Sequence, residues 1–191
     1  KKKNRECLLI KGARQVGKTF IVEQFGRREY KSFVELNFYL HPEYCEIFDG
    51  ALDAKSICER ISYFLPNVKF YEHDTLIFLD EVQHCPNART AMKFLALDNR
   101  YDVIATGSLL GINYKEVSSY PVGYERQITM HALDFEEFLW ARGVNESSID
   151  YLKEFLVDYN AIDSPIHQKM MSYLREYLVV GGMPAAVNEF I

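Results

Sequence analysis

The chain is poor in the features that mark several protein classes. It has four cysteines in 191 residues, Cys7, Cys45, Cys58 and Cys85, and none stands in a C-x-x-C pair or at metal-ligand spacing. This excludes a disulfide scaffold or a cysteine zinc site as the organising feature. Cys7 falls in an apolar run and Cys58 in helical sequence, so both read as small core residues. A reduced, cytoplasmic setting is expected. No apolar run approaches the ~20 residues of a membrane span, and no leader-type segment opens the chain, so no membrane partner is expected. Positive charge is in short supply: the net charge is −5, which argues against a surface that coats nucleic acid broadly. The basic opening Lys1-Lys2-Lys3-Asn4-Arg5 is short and reads as a solvated flank. No internal repeat and no low-complexity tract occurs. What is present is 48% hydrophobic and 14% aromatic residues, enough for one large domain or one domain plus part of a second. The chain begins without Met almost on its first strand and stops in helical sequence. A piece of a longer protein is expected.

The most informative stretch is Cys7-Leu8-Leu9-Ile10-Lys11-Gly12-Ala13-Arg14-Gln15-Val16-Gly17-Lys18-Thr19-Phe20. It reads as a buried strand, then Gly-x-x-x-x-Gly-Lys-Thr, then a helix, which is the phosphate-binding loop, or Walker A pattern. Gly12 lets the backbone leave the strand, and Gly17 lets it pass close to an anion. The loop amides and the helix N-terminus then face phosphate. The expected nucleotide-contacting set is Gly12, Ala13, Arg14, Gln15, Val16, Gly17, Lys18, Thr19 and Phe20. Lys18 supplies positive charge to the outer phosphates, and Thr19 supplies a hydroxyl for Mg²⁺. The plainer reading, a chance match on a glycine turn, is weakened by the apolar helix behind the loop and by an acidic strand downstream.

Further along, Ser32-Phe33-Val34-Glu35-Leu36-Asn37-Phe38 alternates as a second strand. Residues 54–65 form a helix that Asp53 caps. Thr75-Leu76-Ile77-Phe78-Leu79-Asp80-Glu81 carries the apolar run of a central parallel strand. A helix opens at Pro86, and Tyr101-Asp102-Val103-Ile104-Ala105-Thr106-Gly107-Ser108 is another strand. Residues 111–123 read as a loop and 125–130 as a fifth strand. Asp134 caps a helix over 135–142, and the remainder is helical. The first helix is expected over 18–25, broken near Gly26. Alternating strands and helices predict an α/β fold, a parallel sheet covered on both faces. Its ligand belongs at the carboxyl ends of the strands, where the phosphate loop, Asp80-Glu81 and Thr106-Gly107-Ser108 all fall.

Asp80 fits Walker B, a carboxylate on the Mg²⁺ side opposite Thr19. Glu81 is placed to polarise an attacking water, so Glu81 and Lys18 are the expected catalytic residues. Thr106 or Ser108 would sense the γ-phosphate, and a strand-capping role is the alternative. Arg14, Arg89, Arg100, Arg126, Arg142 and Arg175 are candidates for an arginine finger, each with a surface or ion-pair role as the better reading. Gln83 and His84 could bond water or nucleotide, with loop packing at least as good a reading.

Several of these motifs occur together, in one order: Gly-Ala-Arg-Gln-Val-Gly-Lys-Thr, Leu79-Asp80-Glu81-Val82-Gln83, Thr106-Gly107-Ser108-Leu109-Leu110-Gly111, Pro121-Val122-Gly123, Leu133-Asp134-Phe135-Glu136-Glu137-Phe138-Leu139 and Gly181-Gly182-Met183-Pro184. In this the chain resembles the predicted bacterial and archaeal P-loop ATPases of the AAA superfamily that usually carry a C-terminal domain described as nuclease-like. The resemblance spans about residues 8–186. It implies a five-stranded sheet of order 5-1-4-3-2 of the ASCE branch, ATP and Mg²⁺ as ligands, and an intracellular location. Residues 1–143 would be the nucleotide-binding core and 144–191 a truncated helical lid, without its winged-helix remainder and C-terminal domain. Gly182-Met183-Pro184 resembles the Gly-x-Pro element of related signalling ATPases, which would set Pro184 near adenine. A helix-breaking turn is the alternative. The run at Thr106 matches the family's sensor position without the arginine that some relatives place there.

Two functions fit these residues. One is Mg²⁺-dependent ATP hydrolysis that drives a conformational change. The other is a slow nucleotide-gated switch, holding ATP or ADP and presenting a C-terminal effector to a partner. A homo-oligomer would supply an arginine in trans. A small-molecule kinase lacks its arginine-rich lid here, and no Asn-Lys-x-Asp or Thr-Lys-x-Asp guanine signature occurs. A nucleic-acid or protein partner has no support in the composition.

Overall fold

A computed structural model describes residues 6–108, 123–158 and 161–191. The basic opening 1–5 and all of the expected loop 111–123 except Gly123 lie outside the described residues, as do Leu109, Leu110, Pro121 and Val122 of the family motifs. The chain forms two compact units, Lys1–Met130 and His131–Ile191. Helix α4, which the sequence reading placed within 1–143, belongs to the second of these.

The first unit is a five-stranded sheet of order β2-β3-β4-β1-β5, with every neighbouring pair parallel. Its strands are β1 (Cys7–Gly12), β2 (Ser32–Asn37), β3 (Thr75–Asp80), β4 (Asp102–Ser108) and β5 (Glu125–Met130). This is the order the resemblance implied. Side-chain alternation along each strand sorts the core into two layers. Leu9, Val34, Leu36, Ile77, Leu79, Val103 and Ala105 face helices α2 (Ala54–Phe64) and α3 (Pro86–Asp98), packing with Ile57, Ile61, Ala91, Met92 and Leu95. Ile10, Leu76, Phe78 and Ile104 face the other way, with Val22 of α1 (Lys18–Glu29). β3 is buried at every position, as a strand covered on both faces must be.

Helix α1 does not break at Gly26 but continues to Glu29. The absent side chain serves packing. A Cβ on Gly26 would lie 2.3 Å from the Phe33 ring and 3.1 Å from a Leu76 methyl. Close approach of helix to sheet outweighs the ~1 kcal/mol helix penalty of glycine.

The second unit holds α4 (Phe135–Ala141), α5 (Glu146–Asp158), α6 (Ser164–Val180) and α7 (Pro184–Phe190). Asp134 and Glu137 form a reciprocal capping box on α4, which satisfies two orphan amides. The motif strings around Leu133 and Gly182, 49 apart in number, meet here: the Leu133 amide donates to the Gly182 carbonyl at 2.8 Å, and the Tyr177 hydroxyl donates to the Leu133 carbonyl at 2.9 Å. Phe138 packs between Tyr177 and Phe190. Among the described residues no helix is long and apolar enough to cross a membrane.

Candidate functional site

The carboxyl ends of β1, β3 and β4 place the loop, Asp80 and Thr106 along one edge of the sheet, because parallel strands all end on the same side. At the end of β1, Gly12 pairs in register with Ser108 and Met130. A Cβ there would lie 2.4 Å from the Met130 carbonyl oxygen and 3.2 Å from Val16. Gly12 is thus fixed by the close approach of β5 as well as by the turn. The loop is pinned by Val16, which is buried in the core. It turns through left-handed backbone at Gln15 (φ 66°) and Gly17 (φ 95°). Ala13, Arg14 and Gln15 stand exposed.

Gly17 caps α1 without a side-chain acceptor, and the first turn holds no acidic residue. The orphan amides of the first turn therefore have no side-chain cap. Lys18 is buried, and its Nζ donates to the carbonyls of Gly12 (3.2 Å) and Ala13 (2.7 Å). No carboxylate among the described residues pairs with it. Phe20 projects outward, 67% exposed.

Thr19 and Asp80 are brought together: Thr19 Oγ1 donates to both carboxylate oxygens at 3.1 and 3.2 Å. Asp80 is buried and takes two further donors, the Thr106 hydroxyl and Asn37 Nδ2, the latter at 2.8 Å. Burial pushes its carboxyl above the ordinary carboxylate range, while the Thr106 and Thr19 hydroxyls oppose the shift. A carboxylate left in an apolar strand end needs such donors.

Thr106 also accepts from the Glu81 amide at 3.2 Å, so one hydroxyl ties both acidic residues to β4. Ser108 is buried two positions on. Glu81 sits at φ 54°, ψ 47°, a left-handed conformation that costs a non-glycine residue on the order of 1–3 kcal/mol. Its carboxylate accepts from Gln83 Nε2.

Asn37 is a site residue that sequence reasoning passed over. Its amide nitrogen reaches Asp80, and its Oδ1 accepts from the Tyr39 and Leu40 amides at 3.1 and 2.8 Å. The signal was present as a polar residue ending an alternating strand. Its partner follows only from the register Asn37–Asp80 across β2 and β3.

A family profile described as AAA domain matches residues 4–139. The chain belongs to the AAA domain family. It is an AAA-type P-loop ATPase domain, of the kind that binds nucleotide. Comparison with curated proteins finds no match. Among solved structures, the Aeropyrum pernix ORC1 protein in complex with DNA is similar with a TM-score of 0.47 and 14% identity, over 78% of this chain and 44% of that one. C. elegans PCH-2 is similar with a TM-score of 0.41 and 15% identity, over 83% of this chain and 42% of that one. The AAA domain thus spans less than half the length of either.

Three of the arginine candidates in this AAA domain are engaged elsewhere. Arg89 is buried in a two-pronged ion pair with Glu125 that joins α3 to β5. Arg100 pairs with Asp98 at 2.6 Å, and Arg142 with Glu176 at 3.2 Å. Arg14, Arg126 and Arg175 are exposed. Pro184 is the first residue of α7, in the second unit.

Proposed function

We propose that this AAA domain binds ATP with Mg²⁺ on loop 12–19 and hydrolyses it, with the helical segment 144–191 responding to the change of nucleotide. The observation that carries the reading is the hydrogen-bonded set of Thr19, Asp80, Thr106 and Glu81 beside the loop. Lys18 would exchange its bonds to the Gly12 and Ala13 carbonyls for phosphate oxygens, holding them with the loop amides. Thr19 and Asp80 offer hard oxygen donors of the type that suits Mg²⁺. Among the described residues no group of three or more His, Cys, Asp and Glu gathers to hold a metal, so water and phosphate oxygens would complete the shell. Bound there, Mg²⁺ supplies neutralisation of phosphate charge. Glu81 would orient a water and accept its proton at a carboxylate oxygen. Thr106 holds Glu81 and Asp80 in fixed relation, and Ser108 lies beside Gly12 at the same edge. The four free cysteines support a reducing, cytoplasmic setting.

A slow, nucleotide-gated switch is the second reading. Its support is that Lys18 and Glu81 are both engaged within the chain, while Arg89, Arg100 and Arg142 are held in ion pairs. A neighbouring copy would then bring the missing arginine. The test is phosphate release from ATP, with Mg²⁺ and with EDTA, in the wild type and in Glu81→Gln. Hydrolysis predicts Mg²⁺-dependent release that falls ~100-fold or more in the variant. Negligible release with ADP retained through purification supports the switch. Release indifferent to both Mg²⁺ and Glu81 overturns the catalytic assignment.

A further inference from the structure

We propose that Gln83 is a positioning residue for Glu81, fixing the direction of its carboxylate. The inference rests on the reading of Glu81 as the catalytic base. Glu81 opens a short 3-10 turn, Val82–His84, in which the His84 amide closes on the Glu81 carbonyl at 3.0 Å. Val82 and Cys85 are both buried, so the turn is anchored in the core on either side of Gln83. The Glu81 backbone is held in left-handed φ, and its amide is tied to Thr106. With the backbone fixed in this way, the remaining freedom of Glu81 lies in its side chain. Gln83 Nε2 removes it by donating to Oε2.

The bond also decides which way the Gln83 amide faces. An ionised carboxylate only accepts, so the nitrogen must point to Glu81 and Oε1 must point away. That Oε1 is buried and without a hydrogen-bond partner. That oxygen is closed to water, so the amide acts on Glu81 through its nitrogen alone. Neither Asn37 nor Thr106 can take over that role, because both are committed to Asp80.

The test is a double-mutant cycle on the full chain: wild type, Gln83→Ala, Glu81→Gln and the double variant, with Gln83→Met as a control of similar length that cannot donate. Steady-state kinetics, equilibrium binding of a fluorescent ATP analogue and the melting temperature are measured for each. Positioning predicts that Gln83→Ala and Gln83→Met lower kcat about tenfold. KM, analogue affinity and melting temperature stay within about twofold or a degree or two of wild type. Gln83→Ala then adds nothing in the Glu81→Gln background. Unchanged kcat in Gln83→Ala, while Glu81→Gln still collapses it, overturns the role of Gln83 and leaves the proposed hydrolysis intact. A rise in kcat overturns it in favour of Gln83 as a restraint. Equal losses in both backgrounds make Gln83 merely structural. If Glu81→Gln has no effect, the hydrolytic reading fails and the role of Gln83 falls with it.

Discussion

Replacing Glu125 by Gln should destabilise the first unit by ~3–5 kcal/mol, the cost of leaving a buried charge without its partner. The size follows from burial. The Arg89 and Glu125 side chains are 3% and 7% exposed, so the ~0–1 kcal/mol of a surface pair does not apply. The contact is two-pronged, from Nη1 to Oε2 and from Nη2 to Oε1, and Gln can reproduce only one prong. For a domain of this size the loss amounts to roughly 6–20 °C in melting temperature. Replacing both partners, Arg89→Met with Glu125→Leu, should recover most of it, since a buried pair is worth little against well-packed apolar groups. Urea unfolding followed by circular dichroism and by tyrosine fluorescence measures each variant, since the one tryptophan, Trp140, lies in the second unit. ATP turnover, measured below each variant's unfolding transition, should survive in the double variant. The opposite pattern would refute this reasoning: full stability in Arg89→Met together with lost turnover that Glu125→Leu does not restore. Arg89 would then be acting at phosphate, as an arginine finger.

Three further outcomes are expected. Gly26→Ala should destabilise by ~1–2 kcal/mol, because overpacking against Phe33 exceeds the helix-propensity gain of alanine; stabilisation in urea melts would show that α1 can move away from the sheet. Gly182→Ala should loosen the second unit, since a Cβ there would lie 2.0 Å from the Leu133 carbonyl oxygen; faster amide exchange across α4 and α7 is the readout, and unchanged exchange would contradict the packing. Burial pushes the Cys7 and Cys58 thiols up to about 12 and raises Cys85 further, so at pH 8 these three should resist Ellman's reagent until denaturant is added. Partly exposed Cys45 should react first, and rapid labelling of more than one thiol would count against the described core.

The fold was largely legible because each signal it needs is local. The apolar runs of β1 and β3, the alternation of β2 and the caps Asp53 and Asp134 are visible within single elements. The strand order is implied by the family resemblance and by no single motif. What stayed hidden depends on contacts between elements. Gly26 reads as a helix breaker until Phe33 is set against it. Asn37 reads as a strand end until β2 pairs with β3. Arg89 reads like any other arginine until Glu125, 36 positions away, folds beside it. At the site, the chemistry-bearing residue types were readable from spacing, but the bond of Gln83 to Glu81 needed the left-handed turn at Glu81, which no residue preference announces.

Nucleotide binding itself is the most direct test of the central claim, that loop 12–19 and Asp80 form a Mg²⁺-dependent ATP site. Calorimetric titration of the wild-type chain with ATP and Mg²⁺ should show binding at one site per chain, weakened in Lys18→Ala and weakened again when EDTA replaces Mg²⁺. Asp80→Asn should lose the Mg²⁺ dependence while keeping residual affinity for ATP. Wild-type protein that takes up no nucleotide, or a Lys18→Ala variant that binds as tightly as wild type, would contradict it.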